Sequence, residues 1–493
     1  MSADAPAPAP TPFGARIMHA LAWRSGSQIV AQIIMWAGTF FVIRILDPRD
    51  YGLYAMTQSV LAFLTLLNGQ EFAASLVQAP TISKQQIRQT FGMLILMNLA
   101  MAGAQWLIAP LAAAYYKHAV VADMLRVQAL LYLATPLIAV PSALLSRELN
   151  YRTQAAVNLG SALVGASVSL GMALAGAGVW TLVAAPIFTF WTRAIGLSIA
   201  ARLLVLPSFD FRGSGAIVRF GGAMLLSSLF WLIQTQADVV IGGRMMNAHM
   251  LGLYTEALFL TQIVTAKFVP PINDVAFSAY ARMQSDRETT ARAFEKSVRL
   301  IMMVALPFYA GLAVTAYPFV DVVLGGKWEE MAPIVRLLAC AMPVVTLQIL
   351  FSPATTALGH PRVQVLAAAI GAVVMPAAFL LGSPWGGVGM AWGWALGFPI
   401  LGAATAWMAM PIIGTNTAKL WAACAPSLLA AIGMAAMVLI VDRLAGMSLA
   451  PMPRLAILVA SGVIAYAALT MLVARDVVME AVALVQRRTP KRA

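Results

Sequence analysis

The chain alternates long apolar runs with short polar connections along almost its whole length. Each run has about 20 residues or more, which an α-helix needs to cross the hydrocarbon core of a bilayer. The runs lack the residue-by-residue alternation of a membrane β-barrel, so the pattern predicts helices. The sequence predicts 14 of them, at about 21–45, 52–77, 89–111, 124–145, 153–176, 179–203, 219–243, 252–275, 297–322, 333–357, 363–382, 387–411, 418–441 and 455–474.

A faint internal repeat predicts how these helices are grouped. Arg44 to Tyr54 aligns without a gap with Arg244 to Tyr254, 200 residues later, and the Arg, Gly, Leu and Tyr of the motif coincide. Two shorter matches follow at nearly the same offset, at Arg152 and Arg362 and at Gly178 and Gly387. The repeated unit has six helices, an even number, so both copies have the same orientation. Parallel repeats of this kind recur in transporters.

The repeat and the connections together predict the domain organisation. We expect a disordered segment, a first six-helix lobe, a cytoplasmic linker, a second six-helix lobe, two additional transmembrane helices and a basic cytoplasmic tail. Their predicted bounds are 1–15, 16–205, 206–218, 219–411, 412–475 and 476–493.

Composition and charge agree with a chain embedded in lipid. Hydrophobic residues make up 61% and charged residues 10%, with a mean hydropathy of +0.83, whereas soluble proteins carry about 25% charged residues. With the N-terminus in the cytoplasm, 22 of the 32 lysines and arginines fall on the cytoplasmic side and 9 on the other. Membrane proteins show this asymmetry. It places both termini in the cytoplasm, and the net charge of +13 is therefore not interpreted as a nucleic-acid footprint.

No catalytic constellation is present in the sequence. The four histidines are isolated, and no nucleotide-binding or metalloprotease motif occurs. Cys340 and Cys424 lie in apolar runs without metal-ligand spacing, and we interpret both as small core residues. We expect neither an enzyme nor a bound cofactor.

Polar residues inside the apolar runs mark a candidate site. An ionisable group at bilayer depth costs about 2.5–3.5 kcal/mol, so it usually faces a cavity or a partner. Arg24, Gln28 and Gln32 lie four residues apart on one face of the first helix, and Gln234 and Asp238 share a face of the seventh. The functional interpretation is a hydrated cationic cavity between the lobes.

Lys267 is the strongest candidate for contacting an anion. It lies about 15 residues into its helix, roughly 22 Å from the outer end. The alternative is a structural ion pair with Glu71 or Glu256. Arg24 has a similar alternative role at the membrane interface, while Glu71 and Asp238 either bind a coupling cation or only complete polar networks.

Several loose motifs follow one another in a fixed order along the chain. They are Arg44–Tyr54, Ala74–Gln78, Pro141–Arg152, Gly178–Trp180, Gly252–Tyr254, Phe277–Met283, Gly325–Trp328 and Ala357–Arg362. In these motifs the chain resembles the polysaccharide transporter family, the Wzx-like flippases of lipid-linked oligosaccharides, in the multidrug/oligosaccharidyl-lipid/polysaccharide (MOP) exporter superfamily. The resemblance covers residues from about 14 to 475.

The resemblance implies an all-α, MATE-like and MurJ-like fold that moves its cargo by alternating access. The implied cargo is a polyprenyl-pyrophosphate-linked oligosaccharide, an O-antigen or exopolysaccharide repeat unit, which crosses the bacterial inner membrane. Implied partners are membrane lipids, a polysaccharide polymerase and a chain-length regulator. The chain has Asn68-Gly-Gln-Glu71 where relatives usually have an Asp-Leu-Gly turn, so site detail in the second helix does not carry over.

This hypothesis gives each candidate residue a role. Arg24 and Lys267 are predicted to contact the anionic headgroup, Gln28, Gln32 and Gln234 to contact sugar or water, and Glu71 and Asp238 to couple transport to an ion.

Three alternatives remain open at the level of sequence. An exporter of small amphipathic cations would have a cavity dominated by Glu71, Glu256 and Asp238. A membrane polysaccharide polymerase or ligase would need a sizeable outer loop, whereas the longest loops here are predicted to face inward. A non-transporting scaffold would leave the intramembrane charges without a purpose.

Overall fold

The structure of the chain is a computed structural model. It describes residues 32, 38–65, 68–69, 73, 76–77, 82–202, 205–210, 215–445 and 449–473, with the backbone alone over 215–228. Within these ranges all regular structure is helical and no strand occurs. This confirms the predicted all-α class.

The helices follow one another with short connections. They are α1 (Pro48–Thr65), α2 (Lys84–Tyr116), α3 (Val120–Gln128), α4 (Leu130–Arg147), α5 (Tyr151–Leu174), α6 (Val179–Ala200), α7 (Gly215–Met245), α8 (Ala248–Lys267), α9 (Val269–Met283), α10 (Arg287–Val314), α11 (Ala316–Val323), α12 (Ala332–Ala357), α13 (Arg362–Gly382), α14 (Gly386–Ile413), α15 (Thr417–Ala445) and α16 (Pro451–Val473). Short 3₁₀ turns at Gly326–Met331 and Ser383–Trp385 precede α12 and α14.

Among the described residues, nine segments are long and apolar enough to cross a membrane. One of them, Arg362–Ile413, contains two complete helices, α13 and α14. The chain is therefore a multi-pass membrane protein. The number of 14 spans and the division into two six-helix lobes remain predictions.

Three predicted helices are each divided in two. The eighth breaks at Phe268, because Pro270 and Pro271 open the following helix and proline cannot donate a backbone hydrogen bond. The ninth breaks at Thr315 and the fourth at Ala129. The length of an apolar run is the same whether it forms one long helix or two shorter consecutive helices. The hydropathy pattern therefore did not predict these breaks.

The described chain forms two compact units. Unit 1 comprises residues 1–46 and 60–226, and unit 2 comprises residues 47–59 and 227–493. Unit 2 thus includes the first part of α1 as well as α15 and α16. The domain bounds predicted from the sequence remain predictions.

In unit 1, residues 205–210 of the connection before α7 run along the start of α2. The Ser208 amide donates a hydrogen bond to the Arg88 carbonyl at 2.9 Å. Gly92, on the same face of α2, has no Cβ, and a Cβ there would overlap the Ser208 carbonyl. The glycine therefore permits the backbone of the connection to lie directly on the helix. Helix α2 itself begins with a capping box between Ser83 and Gln86.

In unit 2, side-chain caps fix where the helices begin. The Asn247 carboxamide accepts a hydrogen bond from the Met250 amide at 2.8 Å, which starts α8. Asp286 starts α10 by accepting from the hydroxyl and the amide of Thr289, and these hydrogen bonds lower the pKa of the Asp286 carboxyl. Helices α10, α12, α14 and α15 then pack around a core that includes Phe294 and Phe351.

Candidate functional site

The seven candidate residues from the sequence have different outcomes. Arg24, Gln28 and Glu71 lie outside the described residues. Gln32 is helical and half-buried. The structure describes the other three, all in unit 2, which are Gln234, Asp238 and Lys267.

A polar cavity of about 650 Å³ lies within unit 2. Residues of α7, α8, α9, α12, α13 and α14 line it. Trp231 and Phe277, both on its lining, are 59% and 41% exposed, so the cavity is open to the surface of the chain. Ligand pockets typically have volumes of about 300–1,000 Å³, and this cavity is within that range.

Gln234 lies on the wall of this cavity. Its side chain fits there because the facing residue on a neighbouring helix is a glycine. A Cβ on Gly371 of α13 would overlap the Gln234 carboxamide and stand 3.1 Å from its Cγ. Because residue 371 has no side chain, the Gln234 carboxamide can occupy this position on the cavity wall. Gln234 thus lines a cavity within unit 2, and its role in binding sugar remains a prediction.

Three further glutamines line the same cavity, namely Gln262, Gln348 and Gln364. None of the four glutamine carboxamides has a hydrogen bond to any residue that the structure describes. By contrast, the Gln105 carboxamide in unit 1 donates to the Leu125 carbonyl at 2.6 Å. Each free carboxamide offers two donors and an acceptor oxygen with two lone pairs. The cavity wall thus presents hydrogen-bonding capacity that the described chain does not use.

Aromatic side chains form another part of the wall. Trp394 and Phe398 on α14 stack with ring centroids 4.8 Å apart and an interplanar angle of 6°. Both line the cavity, together with Trp231. Trp394 and Phe398 cover a face of each other and are 4% and 5% exposed, so the aromatic surface that a ligand can reach belongs to Trp231 and Phe277. Together with the carboxamides, this surface suits a ligand with both apolar C–H groups and hydroxyl groups.

Asp238 lies behind this wall rather than on it. Its side chain is 1% exposed. The Tyr254 hydroxyl donates to Asp238 Oδ2 at 2.9 Å, and the Val239 amide donates to Asp238 Oδ1 at 2.7 Å. The Trp394 indole donates to the Tyr254 hydroxyl oxygen at 2.7 Å. A continuous hydrogen-bonded path therefore joins a cavity-lining ring to a buried carboxyl.

This path exists in only one copy of the sequence repeat. The positions 200 residues before Gln234 and Asp238 hold Ile34 and Gly38. Tyr254 has a counterpart in Tyr54, but the Tyr54 hydroxyl has no hydrogen bond to the described residues. Among the described residues, the hydrogen bond between tyrosine and aspartate is therefore found in the second copy, and Gly38 has no side chain with which to form it in the first.

Lys267 does not line the cavity, although its neighbours Ala266 and Pro270 do. It is exposed at the end of α8. No ion pair to Glu256, or to another described residue, involves Lys267. The proposed Lys267–Glu256 pair is therefore absent from the described part of the chain, and a pair with Glu71 falls outside it. Asp274 is the one ionisable residue on the described lining, and neither lysine nor arginine is found there.

A second cavity of about 550 Å³ adjoins the first and is almost wholly apolar. Gln348 and Phe351 of α12 line both cavities. Cys340 and Cys424 line this second cavity and are exposed and half-buried, respectively. The interpretation as a core residue was therefore wrong for Cys340, because an apolar run does not show which face of its helix is covered, whereas Cys424 packs against the edge of the core. No cluster of metal-ligating side chains occurs in the described ranges.

Sequence reasoning missed most of the cavity. Of the four glutamines on the lining it selected only Gln234, although Gln348 is the single carboxamide in helix α12. Gln364 was noticed only as part of the repeat. Trp394 and Phe398 carried no signal, because aromatic residues are common in apolar helices.

Solved structures with the same fold are membrane transporters. A structure titled "Lipid II flippase MurJ, inward closed conformation" matches 92% of this chain and 99% of its own with a TM-score of 0.74 at 12% identity. An inward-facing MATE family transporter of the MOP superfamily matches 78% and 96%, with a TM-score of 0.59 at 12% identity. These likenesses establish a MurJ-like and MATE-like fold.

Curated relatives are named for polysaccharide biosynthesis, and one of them for transport in that process. The "Succinoglycan biosynthesis transport protein ExoT" of Rhizobium meliloti (strain 1021) is 25% identical over 340 residues, 69% of each chain. The "Lipopolysaccharide biosynthesis protein WzxC" of Escherichia coli (strain K12) is 22% identical over 297 residues, 60% of each chain. The family described as "Polysaccharide biosynthesis protein" matches residues 41–333. Because that match spans more than half of the sequence, the chain belongs to the polysaccharide biosynthesis protein family, within the fold of the MOP transporters.

Proposed function

We propose that this protein moves a polyprenyl-pyrophosphate-linked oligosaccharide from the inner to the outer leaflet of the bacterial inner membrane by alternating access. The observation that carries the proposal is the unit 2 cavity, where four glutamine carboxamides without a hydrogen bond to the described residues and two exposed aromatic side chains lie in a transporter fold. The family and the named relatives supply the context of polysaccharide biosynthesis. In this proposal no covalent chemistry takes place on the cargo.

The finer features of the proposal follow from the sequence. We place 14 spans in two six-helix lobes with two added helices, and both termini in the cytoplasm. A polysaccharide polymerase and a chain-length regulator are the proposed protein partners. Lys267 and Arg24 are the proposed headgroup contacts, with Gln28 and Gln32 as further polar contacts and Glu71 as a second coupling group.

Reconstitution tests the transport itself. Full-length protein in proteoliposomes should move an undecaprenyl-pyrophosphate-linked trisaccharide between leaflets, measured by its accessibility to periodate, a membrane-impermeant oxidant of vicinal diols. Lys267→Ala should abolish this movement while the protein still inserts. Lys419→Ala is the matched control, since Lys419 lies 3.9 Å from Glu295 at the exposed end of another helix. Full transport by Lys267→Ala would remove that residue from the site.

Asp238 is the proposed coupling residue. A buried carboxyl that is hydrogen-bonded on both oxygens and has no cationic partner among the described residues is suited to take up a proton or a metal cation. Asp238→Asn keeps the shape and removes the charge. Transport by the wild type should fall when an ionophore dissipates the ion gradient, and Asp238→Asn should be insensitive to the gradient. Asp321→Asn, on α11, is the control.

A second function is favoured by one observation. The described cavity lining has one carboxylate and no cationic side chain, which also suits a small amphipathic cation. Efflux of ethidium from inverted membrane vesicles tests this candidate directly. Ethidium export without any movement of the lipid-linked trisaccharide would replace the proposed function.

A further inference from the structure

The unit 2 cavity differs from an anion site in its charge. The described lining holds no lysine or arginine, and Asp274 contributes a carboxylate. Phosphate and carboxylate groups are normally bound by arginine, lysine or backbone N–H groups at helix N-termini. An anion that entered this cavity would lose water and face a like charge, so the cavity disfavours it.

Four of the hydrogen-bonding groups on the lining are neutral carboxamides. The carboxamides of Gln234, Gln262, Gln348 and Gln364 come from four different helices and converge on one space. Their positions are fixed in part by close packing, as Gly371 shows for Gln234. A hydroxyl group both donates and accepts, and so does a carboxamide. Vicinal sugar hydroxyls therefore match these carboxamides without any charge on the sugar.

The exposed aromatic side chains of Trp231 and Phe277 on the lining complete the match. A pyranose ring has one face of C–H groups, which pack against the electron-rich face of an aromatic ring. A cavity of about 650 Å³ holds more than one such ring.

We propose that this cavity is a subsite for uncharged sugar residues of the cargo and that it selects against sugars carrying a carboxylate or phosphate. The inference rests on the proposed transport of a lipid-linked glycan and deepens it. It separates two tasks: the anionic headgroup is held elsewhere, and the glycan enters unit 2. The specificity of the transporter is then set at the glycan by the charge of the cavity wall.

The test compares two probes in proteoliposomes of the full-length protein. Both are undecaprenyl-pyrophosphate-linked trisaccharides, one ending in glucose and the other in glucuronic acid. The wild type should move the glucose-terminated probe about tenfold faster, equivalent to about 1.4 kcal/mol. Equal rates, or a preference for the acidic probe, would overturn the inference and leave the proposed function intact. Movement of neither probe would instead defeat the proposed function, and the inference with it.

A charge substitution in the cavity sharpens the test. Gln364 is exposed on the lining, so a longer side chain fits there without repacking a core. Gln364→Arg should narrow or reverse the preference for the neutral probe, and Gln364→Glu should widen it. Identical behaviour of the two variants would show that the charge of the cavity does not select the cargo.

A binding measurement that does not depend on transport distinguishes a change in selectivity from a general loss of activity in a variant. In a Cys340→Ala/Cys424→Ala background, a cysteine in place of Gln364 reports on occupancy through its reaction with a water-soluble maleimide. The glucose-terminated probe should slow this reaction, and the glucuronic-acid probe should not. Equal protection by both probes would contradict the inference.

Discussion

Gly52 and Gly252 lie against each other, each in the place where the other would carry a side chain. A Cβ on Gly52 would stand 2.9 Å from the Gly252 amide nitrogen, and a Cβ on Gly252 would stand 2.9 Å from the Gly52 amide nitrogen. The first would overlap the Ala248 carbonyl and the second the Pro48 carbonyl. All four positions obey the offset of 200 residues, so the two copies of the repeat meet in unit 2 as a local pseudo-twofold pair.

Substitution at either glycine should therefore have the same effect. Gly52→Ala and Gly252→Ala each force backbone apart, and overpacking of this kind costs about 1–3 kcal/mol. Both variants should show a lower midpoint of thermal unfolding in detergent, measured by loss of the monodisperse peak in size-exclusion chromatography. The double variant should lose less than the sum of the two, because both act on one contact.

Gly311→Ala in α10 is the control for this pair. A Cβ there would make an ordinary contact, 3.8 Å from Met434 Cε, so the variant should be as stable as the wild type or slightly more so. A wild-type midpoint for Gly252→Ala would show that the close approach does not stabilise unit 2.

The repeat is also where sequence reasoning predicted most about the fold. Matching the two Gly-Leu-Tyr motifs required no structure, and α1 and α8 indeed begin at Pro48 and Ala248, 200 residues apart. That the motifs pack against each other was not predicted, because a repeat indicates similar structure in each copy and not contact between copies. Hydropathy predicted the class and the membrane location for a physical reason: lipid requires backbone hydrogen bonds within each segment.

A substitution at Gly371 should displace the Gln234 side chain while leaving residue 234 a glutamine. Gly371→Ala should displace the carboxamide from the cavity wall, because the side-chain end yields more readily than the backbone of either helix. Transport of the neutral trisaccharide should fall to the level of Gln234→Ala, and the double variant should be no worse than either single variant. Periodate accessibility in proteoliposomes measures all three.

The matched control for the helix effect is Gly103→Ala. Nothing lies within 4 Å of a Cβ at that position in α2, so any general effect of alanine on helix stability appears without movement of a neighbour. Wild-type transport by Gly371→Ala would show that Gln234 does not need its observed position.

Removing the Tyr254 hydroxyl should destabilise the protein more than changing Trp394. Tyr254→Phe leaves both Asp238 Oδ2 and the Trp394 indole N–H without a partner, and each orphaned buried group costs about 1–3 kcal/mol. Trp394→Phe removes the indole N–H itself, so no buried donor is left without an acceptor, although the smaller side chain also fills less volume. Thermal unfolding should therefore rank Tyr254→Phe below Trp394→Phe.

Tyr54→Phe is a control supplied by the chain itself. It makes the same chemical change 200 residues earlier, where the hydroxyl has no hydrogen bond to the described residues. Its midpoint should match the wild type. Equal losses in the Tyr54 and Tyr254 variants would mean that the hydrogen-bonded path adds nothing to stability.

The same path shows what sequence could predict about the site. Asp238 was found because a carboxylate in an apolar run is costly and therefore conspicuous. Its partners Tyr254 and Trp394 were not found, because they lie on other helices and no spacing rule joins residues 140 positions apart. Charge along the sequence predicted one residue of the network, and only packing shows the rest.

The pairing of the last two helices can be tested through one ion pair. Arg454 of α16 donates to both oxygens of Asp442 of α15, at 2.8 and 2.9 Å, and both side chains are partly buried. Asp442→Ala or Arg454→Ala should each lower stability by about 1 kcal/mol. The exchanged pair, Asp442→Arg with Arg454→Asp, should recover part of the loss in thermal unfolding. No recovery would indicate that the surroundings, rather than the pair, determine the effect.

Gln234 and Asp238 occur in one copy of the repeat, and the corresponding positions of the other copy hold Ile34 and Gly38. This difference has a consequence for how the sequence of such a chain can evolve. A duplicated gene starts with two equivalent halves. Gly52 and Gly252 constrain each other, because a side chain on either one would overlap the backbone of the other segment. Gln234 lies on a cavity wall and not at this contact. Under the proposed function, engineering for a different glycan should therefore begin at Gln234 and leave the paired glycines unchanged.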